Sequence, residues 1–68
     1  MKVGDKVTTK VLASVHIHGT IVETGEFGTN GKMYNGCNVT YQLDGMTYTR
    51  WFWEEVLDLD VNNNKEGD

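Results

Sequence analysis

The chain has 68 residues, one domain's worth, and a domain of this size buries only about 60% of the surface its unfolded chain exposes, so its core is thin. An apolar fraction of 38% beside a charged fraction of 24% excludes wholesale disorder, and eight glycines without a proline point to strands joined by tight turns. Net charge is -4 and is unevenly placed: the lysines and acids of residues 1–49 cancel, while residues 50–68 set Arg50 and Lys65 against Glu54, Glu55, Asp58, Asp60, Glu66 and Asp68. An acidic chain without a basic cluster is a poor ligand for a phosphate backbone, which disfavours nonspecific nucleic-acid binding.

A single cysteine, Cys37, excludes an internal disulfide and with it the stapled secreted miniproteins. The opening MKVGDKVTTK has no apolar run of the kind a signal peptide carries, and no stretch approaches the roughly 20 apolar residues of a membrane span. A soluble, cytoplasmic protein is the expectation.

In chain order, the turn-forming Gly4-Asp5 pair leads into a first strand over residues 6–12, rich in Val and Thr. A second strand follows over 15–24. There Val15, Ile17 and Ile21 share one face and His16, His18 and Thr20 the other, with Gly19 expected to mark a bend or bulge. Residues 25–37 hold Gly25, Gly28, Gly31 and Gly36 with Asn30 and Asn35, and are expected to form one long glycine-rich loop or an irregular hairpin rather than regular structure.

Asp44-Gly45 is the preferred sequence of a type I′ turn, and it pairs a strand over 38–43 with one over 46–51. The turn sets the register: Leu43 opposite Met46, Tyr41 opposite Tyr48 and Val39 opposite Arg50 on the core side, with Gln42–Thr47, Thr40–Thr49 and Asn38–Trp51 outside. Residues 53–56 form a single helical turn, and 56–60 alternate as a closing strand in which Leu57 and Leu59 share a face. The polar segment 62–68 is a flexible tail on a domain of residues 1–61.

Five short strands, one long glycine-rich loop and a short helical turn before the last strand make a small barrel without free edges; the alternative, an open OB-type barrel, usually takes a longer chain. This order of features resembles the SH3-like barrels of the Tudor and KOW type, through Val3-Gly4-Asp5-Lys6-Val7, Gly19-Thr20-Ile21-Val22-Glu23, Val39-Thr40-Tyr41 before Asp44-Gly45, and the turn before Leu57. The resemblance implies the fold and a habit of binding in the groove beside the turn before the last strand. Tudor-like relatives recognise methylated side chains and KOW relatives touch RNA or ribosomal proteins. The plasmid-borne dihydrofolate reductases share the barrel and a similar opening, but their Val-Gln-Ile-Tyr strand has no counterpart here.

Candidate sites are few. His16 and His18 alternate on one strand face with Cα atoms about 6.5 to 7 Å apart; a closed zinc site needs about four ligands, and only Cys37 and scattered carboxylates remain. No metal and no cofactor is expected. Cys37 lacks a base at any telling spacing and reads as a structural thiol. Asn38-Val39-Thr40 matches a glycosylation sequon by chance.

The aromatic residues carry the functional expectation. Phe27, Met33 and Tyr34 sit in the glycine-rich segment, where they either dock onto a partner or fold back over an open barrel end. Trp51 and Trp53 share the strand face opposite Phe52, beside Glu54 and Glu55, where two indoles can hold a cation or receive an arginine. The competing reading packs one indole under the barrel and the other against the loop. No carboxylate pair stands out as acid and base, so no enzyme is expected. The reading is a non-catalytic module that binds a protein partner through Trp51, Trp53, Tyr34, Phe27, Glu54 and Glu55, serving as a small regulatory subunit, adaptor or inhibitor, a virus-encoded one included, of a larger basic or nucleic-acid-handling protein. The alternative is a KOW- or Tudor-like nucleic-acid-binding domain, and self-association through edge strands is open to either.

Overall fold

The computed structural model describes residues 1–10 and 16–60. Five strands form it: β1 (Lys6–Thr9), β2 (His18–Thr29), β3 (Lys32–Leu43), β4 (Met46–Trp53) and β5 (Leu57–Leu59), with a 3-10 turn at Glu54–Val56 before β5. The expected end of the first strand at Leu12, the expected start of the second at Val15 and the segment 61–68 lie outside the described residues.

All five strands join one antiparallel sheet in the order β4-β3-β2-β1-β5. β4 and β5 are its edges, and no ladder joins them among the described residues, so the sheet is open where a closed barrel was expected. It is nevertheless rolled. Four inter-strand spacings set the edges about 19 Å apart in a flat sheet, whereas the residue steps from Trp53 to Leu57 reach at most about 14 Å. The edges approach each other at this end, and the concave face closes over the core.

That core is Val7, Ile17, Ile21, Cys37, Val39, Tyr41 and Leu57, with Tyr48, Phe52 and Val56 packed against it. Residues from both edges meet in this one cluster: Tyr41 stacks on Tyr48 of β4 at 5.6 Å between ring centroids, and Leu57 is contributed by β5. Thr9, the one buried polar residue among the described residues, accepts a hydrogen bond at Oγ1 from the N–H of Ile17 at 2.9 Å, which removes the cost of an orphaned hydroxyl.

The register set by Asp44-Gly45 holds along the whole β3–β4 ladder, from Leu43–Met46 to Asn38–Trp51 and on to Gly36–Trp53. Both turn residues have positive φ, as type I′ requires. At the start of β2 and in the two residues before it, Ile17 and Ile21 are buried and His16 and His18 exposed, as their alternation implies. Leu57 is 2% exposed but Leu59, opposite the buried Val7, is 47% exposed, because β5 is an edge strand with no neighbour on its other side among the described residues.

Two expectations are corrected. The segment 25–37 is a hairpin, but a regular one and not a loop: β2 and β3 pair without interruption from Thr24–Cys37 to Thr29–Lys32 and close through Asn30-Gly31, with φ of 52° and 78°. The glycines therefore sit within strands or in that tight turn. Nor does Gly19 mark a bulge. The ladder shifts between Ile21 and Glu23, at Val22; Gly19 is needed because a Cβ there would stand 2.5 Å from the Thr40 carbonyl oxygen.

Candidate functional site

The bulge at Val22 decides which face of the hairpin carries the aromatics. Side chains alternate along a strand, so with Ile21 pointing inward an unbroken β2 would send Gly25 and Phe27 inward too. One extra residue reverses that parity. Phe27 then lies on the outer face, the face that Asn38, Gly36 and Tyr34 of β3 share with Trp51 and Trp53 of β4.

Four rings meet there. Phe27 stands edge-on to Trp51 at 5.2 Å and to Trp53 at 5.9 Å, and Tyr34 meets Trp53 at 5.7 Å. These separations fall within the favourable range for edge-to-face pairs, each contributing about 0.5–1.5 kcal/mol beyond burial. The floor is the cross-strand pair Gly25–Gly36. A Cβ on Gly36 would stand 2.8 Å from Phe27 Cε2, and one on Gly25 would stand 3.3 Å from the same ring and 3.5 Å from Trp51 Cη2. Missing side chains thus let the Phe27 ring settle on the main chain between the indoles.

The cluster is not sealed. Trp51 and Trp53 remain 45% and 44% exposed, and Phe27 and Tyr34 are also exposed. A cleft of about 470 Å³ is lined by Phe27, Gly36, Trp51, Phe52 and Trp53. A second, of about 280 Å³, is lined by Met33, Tyr34, Asn35, Trp53, Glu54 and Glu55. All six residues expected to bind a partner are therefore contiguous, joined by Met33 and Asn35. The hairpin packs Phe27 and Tyr34 against the indoles and leaves them partly exposed, and neither Phe27 nor Tyr34 belongs to the core.

Carboxylates flank the rings. Glu54 lies half-buried with Oε2 3.5 Å from the Met1 ammonium, while Glu55 is exposed at the lip of the smaller cleft. Beside Trp51, Asn38 donates through Nδ2 to Glu23 at 3.4 Å, and its Oδ1 is buried without a partner among the described residues.

The remaining candidates stand apart from this site. Cys37 is buried in the core, where burial, followed by the negative charge of Glu54, pushes its thiol above the usual range. Only the thiolate is a nucleophile, so this environment disfavours reactivity. His16 and His18 stand edge to face at 5.1 Å near the opposite end of the second strand, and His18 Nδ1 is 3.5 Å from Asp60. No group of three potential metal ligands is found among the described residues, and no helix there is long and apolar enough to cross a membrane.

Compared with models of known protein families, with curated proteins and with solved structures, the chain matches none. The reading of the site rests on its own geometry.

Proposed function

We propose that this chain is a non-catalytic protein-interaction module of SH3-like type, a small regulatory subunit, adaptor or inhibitor that takes a basic partner on its outer aromatic face. The barrel assignment draws on the strand order, the rolling of the sheet and the 3-10 turn before β5. The observation that carries the functional reading is the exposure of Phe27, Tyr34, Trp51 and Trp53 as one contiguous patch outside the core, with Glu54 and Glu55 at its margin. Aromatic rings dominate binding at protein interfaces, and carboxylates beside them favour cationic groups. The second reading, base stacking by a nucleic acid, draws on the same rings but must overcome the carboxylates and the net charge of -4.

The test is capture from the native cell extract, before and after nuclease treatment, by the wild-type chain, Trp51→Ala and Trp53→Ala. A protein retained from nuclease-treated extract and lost by both folded variants is the expected outcome. Retention that disappears with nuclease favours the nucleic-acid reading, and retention indifferent to both tryptophans contradicts the site itself.

A further inference from the structure

β4 is an edge strand without the features that usually keep an edge from pairing. Its eight residues, Met46–Trp53, contain no proline and no lysine, and its ladder to β3 runs without a bulge. The other edge is built the opposite way: β5 is three residues long and carries Asp58, with Asp60 directly after it. Of the two edges, β4 is the one open to another strand.

The Asp44-Gly45 turn determines which main-chain groups that edge presents. The residues flanking a two-residue turn exchange hydrogen bonds, and bonded pairs then alternate along the ladder. Met46, Tyr48, Arg50 and Phe52 accordingly address β3, and the N–H and C=O groups of Thr47, Thr49, Trp51 and Trp53 face outward. All of the outward-facing residues are exposed, and no main-chain hydrogen bond from any of them to a turn or loop is found among the described residues. A row of unsatisfied groups of this kind selects an extended main chain.

The side chains select a second copy of this chain. Arg50 is the one charged residue of β4; it lies over the Tyr48 ring at 5.8 Å and makes no ion pair among the described residues. An acidic strand is opposed by Glu54 and Glu55 at the end of β4 and by the net charge of -4, and a second cation directly opposite Arg50 is opposed as well. β4 itself avoids both. Laid antiparallel to its own copy about a two-fold axis at Thr49, it sets Arg50 opposite Tyr48, Thr47 opposite Trp51 and Thr49 opposite Thr49. A ring opposite a β-branched residue or a guanidinium is a favourable cross-strand pair. The next register in phase sets Arg50 against Arg50, and the one after that shortens the ladder to residues 49–53.

We propose that the protein dimerises by this pairing, with residues 46–52 of each β4 joining two five-stranded sheets into one. Each guanidinium then lies between two Tyr48 rings, its own and that of the second copy. The pairing is independent of what the aromatic clusters bind, and it sets both clusters on one face of the joined sheet.

The test is sedimentation equilibrium of wild type, Thr49→Lys and Thr49→Glu. The Thr49 side chain is exposed on the outer face, so neither substitution touches the core, but each brings two like charges together at the axis. Reversible dimerisation of wild type is expected, weakened about fivefold or more in each variant and recovered as a heterodimer when the two are mixed. Amide exchange of Thr49 slows in step with dimer formation. A wild type that stays monomeric, variants that dimerise as wild type does, or a mixture that associates no more tightly than its components overturns the proposal. If a monomeric wild type captures a protein from nuclease-treated extract that Thr49→Lys loses, a partner's strand occupies the edge and the second copy is overturned.

Discussion

A Cβ on Gly36 would stand 2.8 Å from Phe27 Cε2, closer than such contacts tolerate, whereas the Phe52 carbonyl oxygen would lie at an ordinary 3.6 Å. The Phe27 ring can swing away and the backbone need not move, so the consequence of Gly36→Ala falls on the aromatic cluster rather than on the fold. Near-UV circular dichroism and tryptophan emission should both change. The unfolding free energy should stay within about 1 kcal/mol of wild type, because alanine recovers some of the entropy that glycine loses in a strand. Unchanged tryptophan spectra would show that Phe27 does not rest on this glycine floor.

At the scale of elements, the β2–β3 hairpin positions half of the site, and its turn is the place to loosen it. Gly31 has a φ of 78°, and a branched side chain in that left-handed region costs about 1–2 kcal/mol. Gly31→Val should lower the stability reported by tryptophan emission by that amount, with the hairpin opening ahead of the core followed by far-UV circular dichroism. Coincident, undiminished transitions would show that the turn has another geometry.

The sequence reveals one hairpin and conceals the other for a physical reason. Around Asp44-Gly45 the flanking residues alternate and are β-prone, so turn and strands agree. Around Asn30-Gly31 the turn signal is of the same kind, but Gly25, Gly28 and Gly36 dilute the strand signal on either side. Those glycines mark close approach by Phe27, Met33 and Trp51 rather than flexibility. The alternation of β4 correctly separates Phe52 from Trp51 and Trp53, whereas the face of Phe27 depends on the bulge at Val22, which no turn residue announces. Membership of the site was legible in the ring and carboxylate types; its assembly, by parity reversal and a glycine floor, was not.

Over the whole molecule, one rolled sheet separates two apolar clusters with different duties. The inner one gathers side chains from β1 to β5 and excludes water; the outer one joins three strands and remains nearly half exposed at both indoles. The proposal rests folding on the first and partner recognition on the second. The most direct test is denaturant unfolding of Trp51→Ala and Trp53→Ala beside Val39→Ala, which makes a much smaller truncation at a fully buried position. The account predicts cooperative unfolding in all three, with each tryptophan variant losing about 1–2 kcal/mol, no more than the valine variant. Loss of about 3–5 kcal/mol, the usual cost of removing an aromatic side chain from a core, or failure of either tryptophan variant to fold, would contradict it.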